Sequence, residues 1–292
     1  MPYPYEVDVN RHHNRPFEGP RRDGRIDAAR AMEEAGGRGM LKHVAIRFGD
    51  IESLLRMNQS VALPDLVSPL IFDPLSAALR VYSQQLVSLE LLGCVDQTLF
   101  WPGEREVGIE PFWPRVKNLK ATFHPAAPSG RWYFQGPKGV GRDSTGFAVG
   151  SGHYPPTERQ EMDEEWDEDW GRYENTSPNM FRTKPIDEEV EGLLGAFARA
   201  LDVMPVLEVA ELVTYLDFAP DDDEDTDLSG LETRRIREME VSSRDVVCRW
   251  GMKYIAGGVD SRLEWYVGGW GPSWGLEKVF CSVVPRERWV FL

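Results

Sequence analysis

The chain has 292 residues, 41% of them hydrophobic, and a formal net charge of −15. That length permits one solenoid or two ordinary domains, and the apolar content is enough for a core. No run approaches the ~18 apolar residues of a membrane-spanning helix, and no apolar block follows the N-terminal arginines, so neither a membrane partner nor a signal peptide is expected.

The charge is local. Residues 158–170 hold eight acids and one arginine, and residues 217–227 hold seven acids and no base, which leaves the rest of the chain near neutral. A body without basic character does not attract phosphate backbones, so nucleic acid is not an expected partner. Cys94, Cys248 and Cys281 are odd in number and far apart, with neither disulfide-framework nor zinc spacing. Each sits beside apolar residues, which predicts buried free thiols in a reducing compartment, cytoplasm or nucleus.

Residues 1–38 are rich in Arg, Gly and Pro and lack periodicity, which predicts a disordered arm. Within it, Arg11-His12-His13 and Arg21-Arg22 read either as a solvated tail or as a weak nuclear address. Residues 39–292 form the expected domain. Val44, Ile46 and Phe48 alternate with His43, Ala45 and Arg47, the pattern of a half-buried strand. A helix follows near 75–85, with Asp73 as N-cap and Pro74 in the first turn. The next strand is 86–92, closed by Gly93. Trp101-Pro102 and Trp113-Pro114 belong to connections, because proline biases its predecessor toward extended conformations. A third strand, 116–123, turns Leu119, Ala121 and Phe123 one way and Asn118, Lys120 and Thr122 the other.

Residues 136–180, with many glycines and the first acidic tract, are predicted to be a flexible insert. The run Gly136-Pro137-Lys138-Gly139-Val140-Gly141-Arg142 lacks the Gly-Lys-Ser/Thr ending of a phosphate loop and reads as linker. Order returns at Pro185. Asp187, Glu188 and Glu189 suit the first turn of a helix, and Val190, Leu193, Leu194, Phe197 and Leu201 make its apolar stripe. A strand is expected at 206–212, a second acidic insert at 217–230, a weak helix at 231–239, and strands at 250–255, 263–267 and 278–284.

One unit occurs twice, 118 residues apart. Leu75, Ala78, Leu79, Leu86, Leu89, Glu90 and Leu91 match Leu193, Ala196, Phe197, Met204, Leu207, Glu208 and Val209. An apolar helix face followed by a Leu-x-x-Leu-x-Leu strand is the building block of a leucine-rich solenoid. The expected fold is therefore α/β: an irregular leucine-rich-repeat-like solenoid with strands on one face, helices on the other, and disordered acidic inserts. Such a surface holds a partner more often than it performs chemistry.

Several motifs in order carry a resemblance. Tyr82-Ser83-Gln84-Gln85-Leu86-Val87-Ser88-Leu89, Leu99-Phe100-Trp101-Pro102, Phe112-Trp113-Pro114 and Pro128-Ser129-Gly130-Arg131-Trp132-Tyr133-Phe134 resemble the C-terminal region of fungal F-box proteins with degenerate leucine-rich repeats. Ala198-Arg199-Ala200, Met204-Pro205-Val206-Leu207 and Trp265-Tyr266-Val267-Gly268-Gly269-Trp270-Gly271-Pro272 extend the resemblance to about residues 40–283. It implies a repeat region that presents substrate to a ubiquitin ligase. The first 40 residues contain no Leu-Pro-x-Glu start and no Leu/Ile-rich helices of an F-box, so binding to a ligase adaptor is not carried over.

No catalytic, cofactor or metal motif is found. His12, His13, His43, His124 and His153 lack ligand spacing, and no Gly-x-Ser-x-Gly elbow occurs. Trp101, Trp113, Trp132, Trp250 and Trp265 lie in apolar patterns and read as core. Candidate partner-binding residues are the non-leucine strand positions His43, Arg47, Glu90, Asn118, Lys120, Thr122 and Glu208. Trp166 and Trp170, four apart in the first acidic tract, read either as part of a disordered insert or as an acidic–aromatic peptide that orders on a basic groove. The expected function is a protein-interaction module with a protein partner and no cofactor. The alternatives are an enzyme with an unrecognised site and a truncated product without independent function.

Overall fold

The computed structural model describes residues 18–36, 41–49, 58–103, 110–154, 179–218 and 247–292. The tract 158–170 with Trp166 and Trp170, most of the second tract and the helix expected at 231–239 lie outside the described residues.

The architecture is mixed α/β. A seven-stranded sheet is built from β1 (His43–Arg47), β3 (Ser88–Gly93), β4 (Asn118–Phe123), β8 (Val209–Asp217), β9 (Val247–Ile255), β10 (Arg262–Tyr266) and β11 (Trp289–Phe291), in that spatial order. The first four strands are parallel, and each lies beside its successor. β8–β9 and β9–β10 are antiparallel, and β10–β11 is parallel. The sheet does not close, and β1 and β11 form its edges. Two small ribbons complete the strands: β2 (Pro64–Asp65) pairs with β6 (Phe147–Ala148), and β5 (Phe134–Gln135) with β7 (Lys184–Pro185).

Four helices are seen among the described residues: α1 (Glu18–Gly36), α2 (Pro74–Ser83), α3 (Asp187–Asp202) and α4 (Trp274–Val283). α1 packs on α2, and α3 on α4. Three helix–strand units result, α1–β1, α2–β3 and α3–β8, of which the sequence pattern exposes two. Leu75, Leu79, Leu193, Phe197, Leu276 and Phe280 from the helices share one core with Leu89, Leu91, Leu119, Phe123, Leu212 and Trp265 from the sheet. All four helices therefore cover the same side of the sheet. Trp113, Trp132, Trp250 and Trp265 are buried as expected, and Trp101 is half-buried.

Local chemistry explains the element boundaries. Asp73 caps α2 by accepting from the Ser76 N–H at 2.7 Å, with Pro74 at the first helical position. Asp187, Glu188 and Glu189 occupy the first turn of α3. Gly251 lies in the middle of β9 at φ 137°, where an added Cβ would sit 2.2 Å from the Leu212 carbonyl oxygen, so a glycine is required there.

Five expectations are corrected. Residues 18–36 of the arm read as disordered form α1. It is fastened by polar contacts, with Arg25 on Asp73 and Arg22 on the Val149 carbonyl and the Tyr154 hydroxyl, so no apolar stripe marks it. The strand expected at 278–284 belongs mostly to α4. Ser273 caps that helix, and Glu191 of α3 in turn accepts from the Ser273 N–H at 2.7 Å and hydroxyl at 2.8 Å. The strand expected at 206–212 begins at Val209, because a turn joining Leu207 to the Met204 carbonyl delays it. The described part of the insert, 136–154, carries short strands and turns. Buried Arg182 holds it by donating to the carbonyls of Gly141 at 2.7 Å and Phe134 at 3.3 Å and to the Ser144 hydroxyl at 3.0 Å. The Gly141 carbonyl of the glycine-rich run thus turns to a guanidinium, the opposite of a phosphate cradle. Among the thiols Cys248 is buried, Cys94 intermediate and Cys281 exposed, the last against expectation.

Candidate functional site

The side of the sheet opposite the described helices carries a row of side chains in strict register. Ala45, Glu90, Lys120, Glu211, Lys253 and Glu264 are direct cross-strand neighbours on β1, β3, β4, β8, β9 and β10. Charge alternates along five of the six positions. At a strand spacing of ~4.8 Å, each lysine stands between two glutamates. The flanking rows hold His43, Ser88, Asn118, Val209, Ile255 and Arg262 on one side, and Arg47, Leu92, Thr122, Val213, Gly251 and Tyr266 on the other.

The acids of this face already have partners. Arg47 meets Glu90 at 2.9 Å, Arg249 meets Glu211 at 3.0 Å, and Arg262 meets Glu264 at 2.9 Å. The Tyr266 hydroxyl also donates to Glu264 at 3.0 Å, and the Arg249 guanidinium stacks 4.0 Å from the Tyr266 ring. Burial alone would raise the Glu264 pKa, but the bonds from Arg262 and Tyr266 outweigh it and hold the carboxyl below its ordinary value. Lys120 and Lys253 form no ion pair among the described residues. Among the described residues the face therefore offers two ammonium groups outside any ion pair, separated by one strand, with the Lys253 charge also acting on Glu264.

Of the candidates read from the sequence, His43, Arg47, Glu90, Asn118, Lys120 and Thr122 come together on this face, with Thr122 buried beneath its neighbours. Glu208 does not join them. It precedes β8 by one residue and pairs with Lys117 at 2.7 Å at the sheet's entry edge. Glu211 takes the place expected for it. Sequence reasoning missed Glu211, Arg249, Lys253, Arg262, Glu264 and Tyr266, although the alternation in β9 and β10 marks them once the strands are paired.

A second feature lies at the carboxyl ends of β1, β3 and β4. There α1 roofs a cavity of about 1010 Å³, lined by Phe48, Cys94 and His124 just past the three strands and by Arg21 and Arg25 from the helix, among others. Ligands of open α/β sheets bind at such strand ends. Behind the lining, Arg25 anchors a polar network. Arg25 donates to both Asp73 oxygens, at 2.5 and 2.7 Å, and to the Cys94 carbonyl at 2.5 Å. Asp96 accepts from the Asp73 N–H at 3.1 Å and from the Thr98 N–H at 2.9 Å. Burial alone would lower the Arg25 pKa; the Asp73 carboxylate outweighs it and raises it. Burial, reinforced by the Asp73 charge, pushes the Asp96 carboxyl up.

His124 and Cys94 are both tied to Ala126. The Ala126 N–H donates to His124 Nδ1 at 3.0 Å, and the Cys94 thiol donates to the Ala126 carbonyl at 3.2 Å. Burial pushes the His124 pKa down to about 4 and the Cys94 thiol up to about 12. At neutral pH the imidazole is uncharged and the sulfur protonated, so neither is set up as a nucleophile or its base. Among the described residues no group of three His, Cys, Asp or Glu side chains could hold a metal ion, and no helix is long and apolar enough to cross a membrane. No family model matches the chain, no curated protein matches it in sequence, and no solved structure matches its fold.

Proposed function

We propose that the chain is a protein-interaction module, an irregular leucine-rich-repeat-like solenoid that receives a protein partner on the face of its sheet opposite the described helices. The observation that carries this reading is the charge-alternating row from Glu90 to Glu264, in register across five strands on the side opposite the described helices. Parallel strands in chain order, three of them preceded by a helix on the core side, support the repeat-like form. The resemblance to the substrate-presenting region of fungal F-box proteins supports the same role. The three free cysteines support a cytoplasmic or nuclear setting.

Ordered charge gives specificity and steers encounter more than it adds affinity. Lys120 and Lys253 fit a partner with two carboxylates roughly 10 Å apart, two strand spacings. The test is quantitative affinity capture from cell extract with the chain and its K120E/K253E variant. Loss of the captured protein at an unchanged melting temperature supports the reading, and equal capture by both overturns it. Ligase adaptor subunits among the captured proteins would add the F-box connection.

The enzyme alternative has its best observation in the cavity with His124. The neutral imidazole and the protonated thiol favour binding over chemistry there.

A further inference from the structure

The cavity under α1 has a wall of consistent chemistry. Its bulk is apolar, with Phe48, Val61, Leu63, Leu66, Leu75 and Phe147 among its lining residues. Its polar side chains are mostly donors, from Arg21, Arg25, His124 and His153, beside Glu18 and Asn58. His124 Nδ1 lies 3.0 Å from the Ala126 nitrogen and 3.3 Å from the Ala126 carbonyl oxygen; when it accepts the shorter bond, the neutral ring carries its proton on Nε2. His153, stacked on Phe147 at 5.2 Å, has Nδ1 engaged in the same way by the Gly150 N–H at 3.0 Å. Arg21 uses one nitrogen on Glu18 at 2.8 Å, stands 58% exposed, and has further N–H groups that bond no other described residue. Its charge is felt at both His124 and Cys94. The acids near the wall are committed, Glu18 to Arg21 and Asp73 to Arg25.

A donor-lined apolar cavity of this size selects an apolar molecule that carries acceptor oxygen. Arg25 is spent on Asp73, and only the remaining N–H groups of Arg21, beside the Glu18 carboxylate, can meet an anion, so the wall cannot balance a dianion such as a phosphate monoester. We propose that this cavity is a binding site for an amphipathic monocarboxylic acid, its tail among Phe48, Val61, Leu63 and Phe147 and its carboxylate held by Arg21 and the Nε2–H of His124. The site is separate from the open sheet face.

The test is isothermal titration of the full chain with decanoate and with 1-decanol, both below their solubility limits, alongside dodecyl phosphate. Saturable 1:1 binding of decanoate, at least tenfold tighter than decanol, is the expected result. R21A changes an exposed side chain and should abolish that tenfold preference. H124N keeps an acceptor for the Ala126 N–H but removes the Nε2 donor, and should weaken decanoate by about tenfold. A62W should fill the cavity and remove binding of both ligands. No decanoate binding, equal binding of acid and alcohol, tighter binding of dodecyl phosphate, or decanoate affinity unchanged in R21A and H124N would each overturn the assignment.

Discussion

Arg25 and Asp73 meet between α1 and α2 with the carboxylate side chain 0% exposed, whereas Arg47 and Glu90 meet on the open face at 65% and 40% exposure. The chemistry is the same and the surroundings are not. The buried pair joins two helices, caps one of them and backs a cavity, so removing one partner strands a charge away from water. The exposed pair exchanges hydration for a contact that salt screens and side-chain entropy opposes. One region uses ion pairing to position a helix; the other leaves its charges free to be re-paired by an incoming surface.

The sharpest way to break this comparison is Asp73→Ala, which leaves Arg25 buried without its carboxylate and α2 without its cap. Urea unfolding should show a loss of about 3–5 kcal/mol; a loss under about 1 kcal/mol would mean that α1 is not held there. Gly251→Ala asks whether the open face is tolerant throughout. It sits on the charged side of the sheet, yet the positive φ and the approach of the Leu212 carbonyl predict at least about 2 kcal/mol of destabilisation. A near-neutral result would show that β9 can shift.

His124 gives the buried region a pH signature. Its pKa of about 4 in the folded state lies below the ordinary value of 6.5. Between these values the unfolded chain binds a proton that the folded chain refuses. The His124 contribution is therefore complete above pH 6.5 and is lost as the pH falls toward 4, by up to about 1.4 kcal/mol per pH unit. Asp96, held above the ordinary carboxyl value, acts in the opposite sense, so the informative quantity is the stability of the native chain minus that of H124N. A pH-independent difference over that window would remove His124 as the cause. The smallest effect belongs to the exposed pair: a double-mutant cycle of Arg47→Ala and Glu90→Ala should give a coupling of only about 0.2–1 kcal/mol at low salt and less at high salt.

Legibility in the sequence followed the kind of interaction that secures each element. α2 and α3 carry apolar stripes and first-turn signals, and both were readable to within a few residues. α1 was not. It contains Gly19, Pro20 and Gly24 and several arginines, and what holds it are contacts from Arg22 and Arg25 to residues 48 to 132 positions away. α4 was taken for a strand because Val279, Val283 and Val284 favour β structure, while the Ser273 cap and the docking of Leu276 and Phe280 into the core favour helix. The open face was half legible. Alternation in the first strands identified Arg47, Glu90 and Lys120, but the shift of β8 to Val209 exchanged Glu208 for Glu211, since one residue of slip reverses every side chain.

Local pattern in the chain settled the class of the fold, the core leucines and tryptophans, and the parity of the first three parallel strands, because helix stripes and strand alternation are short-range signals. Pairing across the sheet settled the rest. The charged row joins residues from five strands that span 90 to 264, and the cavity joins a helix at 18–36 to strand ends near 94 and 124. Neither juxtaposition has a short-range signature, because each depends on register and on ion pairs formed only when distant segments meet.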